Sequence, residues 1–267
     1  MTWEEAVRWY RAQPGNEAAI RANYFDLPVI TAARRYAASE EFAEVLRLLG
    51  PGQGRRVLDL GAGHGIASLA FAQAGWRVTA FEPDPSDEVG AGAIRALQAE
   101  TGLPIEVRAE LPAQGSTFDA VFCRQVLHHV PDVAATMRAL FALLRPGGVA
   151  LALREHVADD AEELAAFLQA HPLHRHYGGE NAHPLEHYLR TATDAGFHVA
   201  EVWGPLESIL NFHPGTEKMR RAAVRRAIFR HGGWMALLPS RTREILKRVT
   251  REDRTPGRIF SFFSSKP

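Results

Sequence analysis

Residues 57–65 read VLDLGAGHG, four strand-type residues running into glycines at 61, 63 and 65. Glycine at every second position clears side chains from a turn. That is needed only where the backbone takes positive φ or where something approaches it closely.

The rest of the chain says where this turn sits. Apolar runs occur at 56–60 (RVLDL), 77–82 (RVTAFE), 105–110 (IEVRAE), 118–125 (FDAVFCRQ) and 148–156 (GVALALREH). Helical patterns near 66–74, 86–100 and 132–144 separate them. Strands alternating with helices predict βαβ units and a parallel sheet covered on both faces. A helix over 184–195, closed by Gly196, leads into a strand at 197–203, and the alternating IFSFFSS at 259–265 predicts a last edge strand. Before the sheet, residues 2–50 read as helical, with Ser39 as an N-cap and Gly50-Pro51-Gly52 as the stop.

The glycine turn therefore joins the first strand to the first helix, which is the ligand crevice of an open α/β sheet. Free N–H groups at the helix start face that crevice. A dinucleotide fingerprint needs its third glycine where Ile66 stands, and no Gly-Lys-Ser/Thr follows to make a phosphate loop. The second strand ends in Glu82-Pro83-Asp84. A carboxylate there can accept hydrogen bonds from both hydroxyls of a ribose and repels a nearby phosphate.

VLDLGAGHG with FEPD, FDAVFCRQVLHHVPD and LLRPGGVALALREH together resemble the class I S-adenosylmethionine-dependent methyltransferases, in the small-molecule subgroup related to quinone-ring methyltransferases. The resemblance covers about residues 50–205. It implies a Rossmann-like, doubly wound, mostly parallel seven-stranded sheet, with an N-terminal helical lid and helical insertions before the last strands. The cofactor it implies is S-adenosyl-L-methionine, with S-adenosyl-L-homocysteine as product. Gly61, Ala62, Gly63 and Gly65 would pass under the methionine moiety, Asp59 would hold its ammonium through the loop, and Glu82 with Pro83 would take the ribose. Glu110 would take the adenine amine, although the usual acidic pair is here Ala109-Glu110. Arg124 and Gln125 would line the methionine side.

A sulfonium already activates its methyl group, so a protein of this kind has to align an acceptor and exclude water, with a base where the acceptor loses a proton. The strand ends nearest the methyl group offer His128, His129, Glu155 and His156 as catalytic candidates. An insertion over about 157–190 follows, and its stretch 171–187 holds five histidines. From this loop His174, Tyr177, Glu180 and Asn181 are expected to contact the acceptor, with Tyr24 and Arg34 from the lid over 1–50. His183 and His187 have metal-ligand spacing, which equally suits a covered surface. No metal is expected.

The formal net charge is zero, but 218–254 carries 12 Lys or Arg against 3 acids, a balance of 12 − 3 = +9. This basic region belongs to a helical insertion over 206–256, before the edge strand in 257–267. The expected reaction is methyl transfer to an O, N or C atom of a small-molecule acceptor, in the cytoplasm and in a biosynthetic pathway. The charge pattern leaves an anionic acceptor open, and a homodimer is a separate open expectation. Two alternatives stand: a cofactor-binding protein that transfers no methyl group (a cyclase or interaction module), and an RNA methyltransferase using the basic region. Nucleic acid is disfavoured because CRQVLHH replaces the Asn/Asp-Pro-Pro-aromatic motif and Cys123 has no second cysteine. No apolar run is long enough to span a membrane.

Overall fold

The structure, a computed structural model, describes residues 1–112, 115, 117–232 and 239–267. Four helices come first: α1 (Trp3–Ala12), α2 (Glu17–Ala22), α3 (Val29–Ala37) and α4 (Glu40–Leu49). Their starts follow from local chemistry. Thr2 accepts from the Glu5 amide while the Glu5 carboxylate accepts from the Thr2 amide, a reciprocal cap. Ser39 caps α4 through the Phe42 amide, as its sequence position predicts.

The βαβ alternation then appears as read: β1 (Arg56–Leu60), α5 (Ile66–Gln73), β2 (Arg77–Phe81), α6 (Ala91–Thr101), β3 (Ile105–Arg108), β4 (Phe118–Arg124), α7 (Val133–Leu143) and β5 (Leu144–Val157). The insertion carries α8 (Ala161–Ala170), α9 (His174–Tyr177) and α10 (Leu185–Asp194), followed by β6 (His198–Trp203). The basic segment forms α11 (Glu217–Gly232) and α12 (Pro239–Glu252), and β7 (Arg258–Ser265) closes the chain. Residues 233–238 of the basic segment lie outside the described residues.

One seven-stranded sheet has the order β3-β2-β1-β4-β5-β7-β6. The first five strands run parallel to one another, and β7 is antiparallel to both β5 and β6. Strand order reverses between β1 and β4, so the crevice opens beyond their C-terminal ends. Two expectations are corrected. Strand β7 is not an edge: it sits between β5 and β6, with its backbone paired antiparallel to both, and β6 takes the edge. Strand β3 stops at Arg108, which leaves Glu110 on an exposed bend past the sheet.

A run of aromatic rings fastens the N-terminal helices to the sheet. Tyr24 meets Tyr36 at 5.4 Å, Tyr36 meets Phe42 at 5.4 Å, Phe42 meets Phe71 at 5.2 Å, and Phe71 meets Phe122 of β4 at 5.1 Å. All are buried. Phe71 is the joint between helices and sheet, and truncating a buried phenylalanine costs about 3–5 kcal/mol. Phe71→Ala should therefore lower the unfolding free energy by about that amount in urea titration. A loss below about 1 kcal/mol would contradict this joint.

Candidate active site

The glycine turn is explained by three different neighbours. A Cβ at Gly61, whose φ is +62°, would meet Val126 Cγ2 at 2.7 Å, so this glycine lets the β4 turn pack against it. Gly65 starts α5 in the left-handed region, packs on Ile94, and does not line the cleft. Gly63 is different: its φ is +54° and the nearest atom to a Cβ would be 3.8 Å away. Its missing side chain leaves space, and its amide donates to Glu82 Oε2 at 2.7 Å. The other Glu82 oxygen accepts from the Asp84 amide at 2.9 Å. Burial raises the Glu82 pKa, and those two amides oppose the rise. Asp59, behind the loop, accepts from Ser68 Oγ at 2.6 Å, and burial pushes its pKa up to about 7.

These groups line a cleft of about 720 Å³, within the range that holds a drug-sized ligand. Its walls continue without a break from Asp59, Gly61, Ala62, Gly63, Glu82 and Pro83 to Arg124 and Gln125, then to His128, His129 and His156. From the insertion come His171, Leu173, Tyr177, Gly179 and Glu180.

At the far end the histidines are held in fixed orientations. His128 Nδ1 donates to Glu155 Oε2 at 2.7 Å, and the same carboxylate accepts from the Val126 and His128 amides at 3.2 Å each. Glu155 is fully buried, yet these donors hold its pKa below the ordinary value against the cost of burial. His129 Nδ1 donates to the Gly179 carbonyl at 2.7 Å. Burial, with His128 alongside, lowers the His129 pKa. His156 Nδ1 donates to Gly257 O at 2.7 Å, and burial pushes its pKa to about 3, so it remains a neutral backing ring. Nε2 of His128 and Nε2 of His129 each lie 3.8 Å from Glu180 Oε2.

A family model described as "Methyltransferase domain" matches residues 32–202, a span that contains the glycine turn and the strand ends just described. The chain belongs to this methyltransferase-domain family. It is 42% identical over 109 residues to a ubiquinone biosynthesis O-methyltransferase of Bordetella avium, a match covering 39% of this chain and 44% of that protein. The chain thus spans less than half the length of that curated relative. Among solved structures, a putative sarcosine dimethylglycine methyltransferase from Galdieria sulphuraria superposes with a TM-score of 0.59 at 18% identity, over 98% of each chain. The [4+2]-cyclase SpnF superposes at 0.56 and 18% identity, over 88% of this chain and 81% of that one. These likenesses establish the shared fold.

Several residues singled out from the sequence of this family member lie elsewhere. Glu155 is fully buried and does not line the cleft; it stands behind His128. Glu110 is exposed and Leu111 lines the cleft instead. Arg34 is exposed on α3, because the apolar face of that helix is Ile30, Ala33 and Tyr36. Tyr24 is buried in the lid, stacked on His213 at 4.7 Å with its hydroxyl 3.2 Å from His213 Nδ1. His174 and Asn181 do not line the cleft, and His183 and His187 pair with each other away from it. Arg124 does line it, held by Glu41 Oε1 at 2.7 Å. The lid reaches the cleft through Phe25, an aromatic of the expected lid, and through Trp3, Tyr10 and Asn23, which the sequence did not single out. Nor did it assign His64, inside the glycine turn, whose Nε2 is buried with no partner.

Burial, with Arg11 and Arg124 nearby, pushes the His64 pKa down to about 4, and burial does the same to His213. Both fall below the ordinary 6.5, so the unfolded chain binds protons that the folded chain refuses. Stability is then full above pH 6.5 and falls as pH drops toward 4. The slope approaches about 1.4 kcal/mol per pH unit for His64, and is smaller for the part-exposed His213. Asp59, raised to about 7, works in the opposite direction over the same range, so the test is the difference between parent and variant: from pH 7 to pH 5 the urea midpoint of the parent should fall relative to that of His64→Gln. A difference that stays constant over that range would contradict the buried-neutral assignment.

Proposed function

We propose that this protein is an S-adenosylmethionine-dependent methyltransferase acting on an oxygen atom of a small-molecule acceptor, in a biosynthetic pathway. The observation that carries the reading is the single continuous cleft, with nucleoside-type groups at one end and an imidazole–carboxylate group at the other.

The donor end suits the cofactor. Each Glu82 oxygen holds one amide and keeps a further acceptor position for a ribose hydroxyl. Gly63 leaves open space, and His64 Nε2 is a buried polar atom lacking a partner. Asp59, Gly61, Ala62, Gln125 and Arg124 would surround the methionine moiety. When bound, the cofactor supplies a methyl group already activated by its sulfonium.

The chain's own residues do the rest. Trp3, Tyr10, Phe25 and Tyr177 form apolar walls that exclude water and hold the acceptor against the donor. A hydroxyl acceptor must lose its proton during attack, and the His128–His129–Glu180 group stands where that proton leaves. Glu155 acts through His128, as a positioning residue. The name O-methyltransferase carried by the Bordetella avium relative supports oxygen as the acceptor atom. A cytoplasmic location, an anionic acceptor and a homodimer belong to this reading on the strength of the sequence alone. Among the described residues no helix is long and apolar enough to cross a membrane.

S-adenosylhomocysteine should bind with micromolar affinity in calorimetry, and Glu82→Ala should weaken it by about 1–3 kcal/mol. Unchanged affinity in that variant would remove the ribose assignment. With a panel of phenolic and other hydroxylated acceptors, His128→Ala should slow S-adenosylhomocysteine release by roughly 10²–10⁴-fold, with cofactor affinity preserved. Cofactor binding without turnover on any acceptor would favour a non-methylating role on this fold instead.

A further inference from the structure

Two buried carboxylates meet at the acceptor end of the cleft, and neither has a lysine or arginine partner among the described residues. Glu155 is fully buried and pairs only with His128; Glu180 faces His128, His129 and His171. Buried negative charge of this kind calls for a cation. The neighbouring lone pairs are arranged to hold one. One ligand atom each from His128, His129 and Glu180 lies within 4.8 Å of the others, and both Nε2 atoms stand 3.8 Å from Glu180 Oε2. Metal–nitrogen and metal–oxygen bonds of about 2.0–2.2 Å in a tetrahedron place ligand atoms roughly 3.3–3.5 Å apart. The two 3.8 Å separations close to that span with small side-chain movements.

The surroundings match what ligating histidines need. A metal-bound imidazole gives its other N–H to a carboxylate or backbone carbonyl, which fixes the tautomer. His128 gives its Nδ1–H to Glu155, and His129 gives its own to Gly179 O. Both Nε2 atoms are thereby left as lone-pair donors aimed at Glu180. His171 adds a fourth group: its Nδ1 is buried without a partner, 3.9 Å from Glu180 Oε1.

We propose that His128, His129 and Glu180 form a divalent-cation site, of the class zinc occupies, which binds and ionises the acceptor oxygen. The role given to the cation rests on the methyl-transfer reading; the site itself does not. Two histidines and one carboxylate leave coordination positions free, the pattern of catalytic rather than structural sites. All three residues line the cleft, so those positions open toward the acceptor. A hydroxyl bound there has its pKa lowered. Its O–H bond breaks, the proton leaves to solvent, and the oxygen uses the retained electron pair to bond the methyl carbon, while the carbon–sulfur bond of the donor breaks with its pair left on sulfur, which departs as the neutral thioether S-adenosylhomocysteine. No oxidation or reduction is involved. The sequence leads to the expectation of a site without metal, because methyl transfer needs none and the His183/His187 spacing suits a covered surface; this proposal departs from that expectation at His128, His129 and Glu180, while His183 and His187 stand away from the cleft.

The test uses the full chain, stripped with a chelator and dialysed, then titrated with Zn²⁺ by calorimetry and with Co²⁺ by visible absorption. One tight equivalent per chain is expected, with Co²⁺ bands of a nitrogen- and oxygen-ligated centre. His129→Ala and Glu180→Gln should lose that equivalent while circular dichroism and S-adenosylhomocysteine affinity stay as in the parent. Glu155→Gln should weaken it by roughly 10–100-fold, and His187→Ala should retain it. Absence of stoichiometric binding by a folded, cofactor-binding chain would overturn the site, as would equal binding by Glu180→Gln. Full turnover by the stripped chain would overturn the activating role and leave methyl transfer standing. Metal binding by a chain that fails to bind S-adenosylhomocysteine would support the site and remove the methyl-transfer reading.

Discussion

Carboxylates at the ends of the strands hold the working edge of this sheet together. Glu155, at the end of β5, has no contact with solvent and accepts from two amides of the β4 turn and from His128. Glu82, just past β2, does the same for the glycine turn, accepting from Gly63 and Asp84. A buried carboxylate is costly unless several donors reach it, and a carboxylate so satisfied fixes every donor that touches it. The two turns that form the cleft floor are therefore locked to their neighbouring strands, and Val126 of one packs directly over Gly61 of the other.

The lid follows from the same edge. Arg124 ends β4 and is mostly covered; the buried Glu41 of α4 reaches down to pair with it, while the rings of Tyr24 and Tyr36 stand 5.6 and 5.8 Å from its guanidinium. Removing either charge would strand the other in the interior, so the pair ties α3 and α4 to the sheet end. Trp3, which lines the cleft, meets Phe25 at 5.8 Å and Tyr177 at 5.2 Å. The lid and the histidine-rich insertion, well separated in sequence, thus meet over the cleft.

The strand–helix alternation, the glycine turn and Glu82 were legible because each depends on a local pattern of period or spacing. The histidines after β4 were legible as a group, but their division of labour was not. Glu155 and His156 are adjacent in sequence and on opposite faces of β5, so one becomes a buried orienting acid and the other a backing ring. Glu110 was misplaced because β3 ends two residues before it. Arg34 was misplaced for a different reason: helix periodicity tells which residues share a face, and it does not tell which face meets a cavity. Tyr24 lies in the turn between α2 and α3, with φ +61°, where no periodicity fixes the direction of a side chain. Glu41 left a signal that went unused, an acid on the buried side of an otherwise apolar helix face. Glu180 was singled out as a polar loop residue, yet its convergence with His128 and His129 needs a separation of about 50 residues to be folded away.

The central claim is that donor and acceptor meet in one cleft, between the glycine turn and the His128–His129–Glu180 group. A crystal structure of the chain with S-adenosylhomocysteine tests it most directly. The account predicts ribose hydroxyls on Glu82, the amino-acid end beside Asp59 and Gly61, and the sulfur facing His129 and Glu180 across open space. A ligand whose sulfur points away from those residues, or which leaves Glu82 uncontacted, would contradict it.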